Sequence, residues 1–293
     1  MITDYDGLLN KTYRELREFA EIYVVGVSGG ADSTLVACIC SEAAQNNKLG
    51  IEPSDCVLGV LMPNFENDAI FTSTGEKLVN TLNINNILLP ITNVANEYNF
   101  LLKHTFIDFK SEIAFNKTIP DDITKFNTGN MLSRCRMTML YSIAAKYTIL
   151  LYKKYGKYFR VRVIGTDNLS ENYIAYFTKY GDGGVDMNPI VELFKSEVYE
   201  LLDYFKENGL ISEDLINRVP SAGLWEGQTD ENELGITYSE LEYAIRRSLG
   251  MKILETPSDI LNKDLVSRVN TMHDINSHKN EPIPYIQLRD FCE

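Results

Sequence analysis

At 293 residues, 44% of them hydrophobic and 24% charged, the chain is long enough to bury a large core and has the composition of an ordinary globular protein. Its net charge of -13 argues against a broad nucleic-acid surface, which needs a basic face. A small anion site is still allowed, because a few cations and backbone N–H groups suffice to hold one nucleotide.

Taken in chain order, Asp4 to Ala20 mixes charges with Leu8, Leu9, Tyr13, Leu16 and Phe19 at a helical period. Ile22 to Val27 is a short apolar, β-branched run and predicts a buried strand that ends at Ser28-Gly29-Gly30, with a helix opening at Ala31. Cys56 to Met62 and Asn86 to Ile91 repeat the strand signal, with a helix from Asp68 to Asn80 between them. Met131 to Tyr155 reads as a long helix and Arg160 to Ile164 as a further strand closed by Gly165-Thr166. Such alternation predicts an α/β fold: a doubly wound, mainly parallel sheet with helices on both faces. No repeat or linker divides the chain, so residues 1–293 are expected to form a single domain, the stretch from Gly209 onward packing on the sheet as helices and loops. The five cysteines (Cys38, Cys40, Cys56, Cys135, Cys292) show neither a disulfide framework nor zinc spacing. MITDYDGLLN lacks the features of a signal peptide, and no apolar run approaches membrane-spanning length, so a cytoplasmic location without membrane contact is expected.

The turn Gly26-Val27-Ser28-Gly29-Gly30-Ala31-Asp32-Ser33 links a strand to a helix. Its glycines let backbone N–H groups face an anion, the helix N-terminus adds a favourable dipole, and Ser28 and Ser33 supply hydroxyl donors. It is neither a Walker loop nor G-x-G-x-x-G, and taken alone a tight turn with a helix cap is the competing reading. S-G-G-x-D-S after a first strand resembles the pyrophosphate loop of the ATP pyrophosphatases, a superfamily with an adenine nucleotide α-hydrolase-like fold that cleaves ATP between its α- and β-phosphates. It includes NAD synthetases, GMP synthetase, asparagine synthetase and tRNA-modifying enzymes, so the loop implies adenylation without choosing the acceptor.

Three later segments choose it. Asn130-Met131-Leu132-Ser133-Arg134-Cys135-Arg136-Met137 resembles the N-x-x-A-R-x-R-M run of NAD synthetases, with Ser133 in place of Ala; arginines at i and i+2 point to different sides of a helix. Gly165-Thr166-Asp167-Asn168-Leu169-Ser170-Glu171, followed by Phe177-Thr178-Lys179-Tyr180-Gly181-Asp182-Gly183-Gly184-Val185-Asp186, resembles G-T-D-x-x-x-E…F-T-K-Y-G-D-G-G-x-D at unchanged spacing, with Asn168 where the family usually has His. Pro189-Ile190…Leu193-Phe194-Lys195 and the run from Pro220 to Gly235 resemble the family's later blocks, and His278-Lys279 its H-K pair, with Asn280 in place of Arg. The resemblance runs from Val24 to about Lys279 and fits least well over Phe100 to Asp122.

As bare chemistry, Asp32 and Glu171 would be two hard oxygen ligands for Mg²⁺ at the carboxyl ends of two strands of one sheet. The resemblance implies ATP on residues 26–33, Thr166, Lys195 and Ser221, and nicotinic acid adenine dinucleotide on Arg134, Lys179, Asp186, His278 and Lys279. It further implies that the nicotinate carboxylate attacks the α-phosphorus of ATP, after which ammonia displaces AMP from the acyl adenylate, with Asp32, Lys195 and Glu171 as the catalytic group. Ammonia is expected as donor because the chain has no room for the amidase domain of glutamine-using relatives. A homodimer is implied by the family alone. A tRNA thiolase would share the first loop but calls for a basic surface and catalytic cysteines, and a non-catalytic nucleotide binder would not need both carboxylates and Lys195.

Overall fold

The structure is a computed structural model, and it describes residues 1–64, 69–103, 121–216, 229–253 and 264–287. Four parallel strands form one sheet in the order β3-β2-β1-β4: β1 (Ile22–Gly26), β2 (Val57–Leu61), β3 (Asn85–Leu88) and β4 (Val161–Ile164). Val24 stands opposite Leu58 on one side and Val163 on the other, so the β-branched runs sit at the sheet's centre, buried on both faces. The edge strand β3 is shorter than the apolar run 86–91 suggested. Pro90 has no N–H to continue a ladder, although Leu89 N still donates to Leu61 O at 2.8 Å and Ile91 N to Pro63 O at 2.9 Å.

Helix α1 (Tyr5–Phe19) is capped by Asp4, whose carboxylate accepts from Gly7 N at 2.8 Å, and it buries Leu9 and Leu16. It packs on α2 (Ala31–Gln45), in which only Asp32, Glu42 and Gln45 escape burial. A helix apolar all round belongs in the middle of a core, and α2 lies between the sheet, α1 and α7 (Lys195–Glu207). After β2 comes α3 (Ala69–Thr81), and after β3 come α4 (Thr92–Lys103) and α5 (Asp121–Tyr155), which packs on β1 and β4. From β1 to β3 the chain steps one way across the sheet and then returns to β4. With right-handed crossovers this places α5 on the face opposite α2, which is the doubly wound arrangement. Helix α5 begins ten residues earlier than its apolar period indicated, because its opening turns reach past the core, where Phe126 is exposed. Of the poorly fitting segment 100–122, residues 104–120 lie outside the described residues.

The short α6 (Leu169–Tyr173) follows β4, and α8 (Asp230–Leu234), α9 (Tyr238–Ser248) and α10 (Asp264–Asn276) build a second apolar cluster with Ile174 and Phe194. The α9–α10 unit therefore rests against the loop and helix that follow β4. Among the described residues no helix is long and apolar enough to cross a membrane.

Candidate active site

In a doubly wound sheet the ligand crevice opens beyond the carboxyl ends of the two strands at which the winding reverses. Here these are β1 and β4, and the loops leaving them are the two segments richest in chemistry. In the first, Gly29 takes a φ of +75°, a conformation open to glycine at little cost. Ser28 and Ser33 bond each other through their hydroxyls at 3.0 Å, and Ser33 Oγ donates to Gly30 O at 3.0 Å. Gly30 precedes α2 without a side-chain cap, so the first N–H groups of that helix suit an anion.

Asp32, in the first turn of α2, meets residues from two of the three later segments. Lys195 Nζ lies 2.6 Å from Asp32 Oδ2 and 3.0 Å from Glu171 Oε1. Asn168 joins the same cluster: its Nδ2 donates to Asp32 Oδ1 at 2.9 Å, and its Oδ1 caps α6 by accepting from Glu171 N at 3.1 Å. Tyr238 OH is 2.7 Å from Glu171 Oε1 and 2.9 Å from Asp230 Oδ2. Lys195 is 4% exposed, and burial opposes its charge. The attraction of Asp32 and Glu171 outweighs that cost and holds its pKa above the ordinary lysine value. Burial likewise works against Glu171's charge, but Lys195 and the Tyr238 hydrogen bond hold its carboxyl below the usual range. Asp32 is shifted the other way: burial, together with the nearby Glu171, holds its carboxyl above the usual range despite the pull of Lys195. The cluster is thus a buried ammonium held between two carboxyl groups.

Asp32, Glu171, Lys195 and Asp230 line a cavity of about 470 Å³, a size suited to a nucleotide-sized ligand. Of the residues expected from sequence to hold ATP, Gly26, Val27, Ser28, Gly30, Ala31, Asp32, Ser33, Thr166 and Lys195 all line it, together with Glu171. Gly29 shapes the loop without lining the cavity, and Ser221 lies outside the described residues. Asp167, buried at the wall, has its carboxyl held well above the usual range by burial first and then by Asp182, Glu171 and Asp32.

The residues expected to hold the dinucleotide are divided. Lys279 lines the cavity, its Nζ donating to Ala175 O at 2.9 Å and Phe177 O at 3.0 Å, which fixes the chain end against the loop after α6. Arg134, Lys179 and His278 gather beside the cavity: Arg134 Nε donates to Lys179 O at 3.3 Å, and Lys179 Nζ to His278 O at 2.7 Å. Asp186 is exposed and braces β4, accepting from Val163 N at 2.8 Å and from Tyr141 OH at 3.2 Å. Arg136, two residues on from Arg134, lines the cavity with its Nε donating to Met62 O at 3.4 Å. The two arginines do face different sides, and it is Arg136 that faces the cavity. Ser133 is more than a tolerable stand-in for alanine. Its hydroxyl donates to Asp182 Oδ1 and accepts from Asp182 N at 2.8 Å, and a Cβ on Gly181 would lie 2.2 Å from Ser133 Oγ.

Comparison with known proteins places this geometry. The family model for NAD synthase matches residues 8–283. The NH₃-dependent NAD⁺ synthetase of Mesoplasma florum is 36% identical over 87% of this chain and 84% of its own length. That of Pyrococcus horikoshii is 33% identical over 95% of this chain and 93% of its own. A solved structure of NMN synthetase from Francisella tularensis superposes with a TM-score of 0.71 at 26% identity, covering 98% of this chain and all of that one. With the Ser28–Ser33 turn at the switch point, Asp32, Glu171 and Lys195 joined at one cavity, and the family model matching residues 8–283, the chain belongs to the NAD synthase family.

Proposed function

We propose that this chain amidates nicotinic acid adenine dinucleotide to NAD with ammonia, cleaving ATP to AMP and pyrophosphate. The observation that carries the reading is the Asp32–Lys195–Glu171 cluster beneath an open helix N-terminus, a site with fixed charges for a polyphosphate and none of the features of a nucleophile. A carboxylate is a poor electrophile, and activating it as an adenylate demands chiefly that two anions be held in line and their charge neutralised. Residues 26–33 hold the phosphates, and Lys195 neutralises the departing pyrophosphate.

Among the described residues no set of three or more His, Cys, Asp or Glu is arranged for a metal ion. Two hard oxygen donors already flank one cation, the Lys195 ammonium, at 2.6 and 3.0 Å, so Asp32 and Glu171 fit Mg²⁺ if phosphate oxygens complete its shell. Such an ion supplies further charge neutralisation at the phosphates. Arg134, Lys179 and His278 beside the cavity, Lys279 in its wall and Asp186 against β4 are assigned to the acid dinucleotide, and Ser221 to ATP.

The test is pyrophosphate release with ATP, Mg²⁺ and ammonium against a panel of acceptors: the dinucleotide, nicotinic acid mononucleotide, aspartate, xanthosine monophosphate and bulk tRNA. The dinucleotide alone should support release. The mononucleotide is the rival to watch, because the Francisella tularensis structure named for NMN covers 98% of this chain; release with the mononucleotide and none with the dinucleotide would assign this chain that activity. In the same assay the apparent KM for total ammonium should fall by about tenfold per pH unit below ammonium's own pKa, since only NH₃ is nucleophilic. Lys195 stays charged across that range, so the trend reports the donor. Efficient turnover with glutamine would overturn the assignment of ammonia.

The same reading makes the protein a cytoplasmic homodimer. Helices α4 and α5 each expose apolar side chains that a second copy would cover, Val94 and Tyr98 on the first and Ile149, Leu150 and Tyr152 on the second. Sedimentation velocity should give a dimer at micromolar protein, and a monomer at every concentration would remove that part of the proposal.

A further inference from the structure

Tyr238 and Glu242 stand four residues apart on α9 and so share one helix face. That face meets the ion cluster from behind, and neither side chain lines the cavity. Glu242 is 8% exposed and has no cation partner among the described residues. Its carboxylate accepts from Ser196 N at 2.9 Å and from Ser196 Oγ at 2.6 Å. It also accepts from Ser170 Oγ at 3.3 Å, while Ser170 Oγ accepts from Lys195 N at 3.0 Å. The N–H groups of Lys195 and Ser196 are the first of α7, donors that no residue within that helix can satisfy. Glu242 therefore caps α7 from another helix and ties the backbone at Lys195 and Ser196 to Ser170, the neighbour of Glu171. Tyr238 makes a parallel tie at the side-chain level. Its hydroxyl meets Glu171 Oε1 at 2.7 Å, and its ring lies 5.1 Å from Lys195 Nζ. A buried carboxylate held only by hydroxyl and amide donors is costly beside an apolar residue of the same size, so simple packing of α9 on α7 would not require it.

We propose that α9 is the template that sets Lys195 and Glu171 relative to one another, with Glu242 and Tyr238 as its positioning residues. The inference rests on the reading that Lys195 and Glu171 act on the phosphates of ATP. The two anchors come from different segments, and α9 reaches both: Glu171 through the Tyr238 hydroxyl, and the start of α7 through Glu242 and Ser196. A displacement of about 1 Å at such a site can cost about a hundredfold in rate.

The test compares Glu242→Ala, Glu242→Gln and Tyr238→Phe with Asp55→Asn. Asp55 is a buried carboxylate at the amino end of β2, bonded to Lys154 Nζ at 2.5 Å and Asn85 Nδ2 at 2.8 Å, on the side of the sheet away from the cavity. Each full-length protein is melted, titrated with ATP by calorimetry, and assayed for pyrophosphate release. Glu242→Ala should bind ATP about tenfold more weakly and lose about 30- to 100-fold in kcat. Glu242→Gln restores an acceptor for Ser196 N and should stay within about threefold of the wild type on both readouts. Tyr238→Phe keeps the ring and should lose about tenfold in kcat with little change in Tm. Asp55→Asn should lower Tm yet leave ATP affinity and kcat within about twofold. A folded Glu242→Ala with wild-type affinity and kcat would overturn the proposal, as would an Asp55→Asn that lost both equally. Where Glu242→Ala fails to fold, Tyr238→Phe decides: wild-type kcat there is equally fatal. Should the wild type bind ATP but release pyrophosphate with no acceptor, the functional reading falls, while the ratios of ATP affinity still decide the positioning.

Discussion

Lys195→Ala is expected to lower pyrophosphate release by about 10²- to 10³-fold, the usual effect of removing one preorganised charge from a developing anion. The same change leaves Asp32 and Glu171, whose side chains are only 18% and 17% exposed, facing each other without their shared ammonium. Breaking a buried ion pair from one side costs about 3–5 kcal/mol, so the variant should also melt well below the wild type. The two losses can be separated. A divalent cation can replace the missing charge between the carboxylates but cannot do the work of the ammonium on the pyrophosphate. Added Mg²⁺ should therefore raise the Tm of Lys195→Ala more than that of the wild type, without restoring its rate. Turnover within a few-fold of the wild type in the folded variant would remove Lys195 from the chemistry.

The sequence made the sheet and the crevice legible because both rest on local patterns. Apolar β-branched runs mark β1, β2 and β4, and the loops after the first and last of these carry unusual glycine, serine and acid content. Asp32, Glu171 and Lys195 were singled out from motifs, and they do meet, although 139 and 24 residues of sequence separate them in turn. What stayed hidden depends on tertiary phase. Arginines at positions 134 and 136 lie about 200° apart around an α-helix, and only the docking of α5 on the sheet decides which one faces the cavity. Tyr238 and Glu242 sit on an amphipathic helix with a capping box at Thr237, where an acid four residues after a tyrosine looks like surface. Their partners, Glu171 and Ser196, are more than forty residues away, and no spacing rule reaches that far. Asn168 drew notice as a departure from the family pattern, but that it bridges Asp32 and the start of α6 was visible only in the fold.

The second large effect concerns Glu171. Replacement by glutamine keeps the side chain's shape and its acceptor for Tyr238, and it leaves the Asn168 cap on the Glu171 N–H undisturbed. If Glu171 only anchored α6, Glu171→Gln would fold and turn over almost normally. If it shares a divalent cation with Asp32, one of two hard anionic oxygens is lost, and an amide oxygen is a much weaker ligand for Mg²⁺. Lys195 would also lose one of the two attractions that raise its pKa, but Asp32 Oδ2 at 2.6 Å is the nearer partner and should keep it charged at neutral pH. The expected result is a Tm close to the wild type, a fall of about 10²-fold in kcat, and a half-saturating Mg²⁺ concentration about tenfold higher. Binding of Mn²⁺ as a paramagnetic substitute, measured by water relaxation with ATP present, gives a readout independent of turnover and should weaken in parallel. Near-normal turnover of folded Glu171→Gln at limiting Mg²⁺, with Mn²⁺ affinity unchanged, would take the metal away from Glu171 and leave it a partner of Lys195 alone.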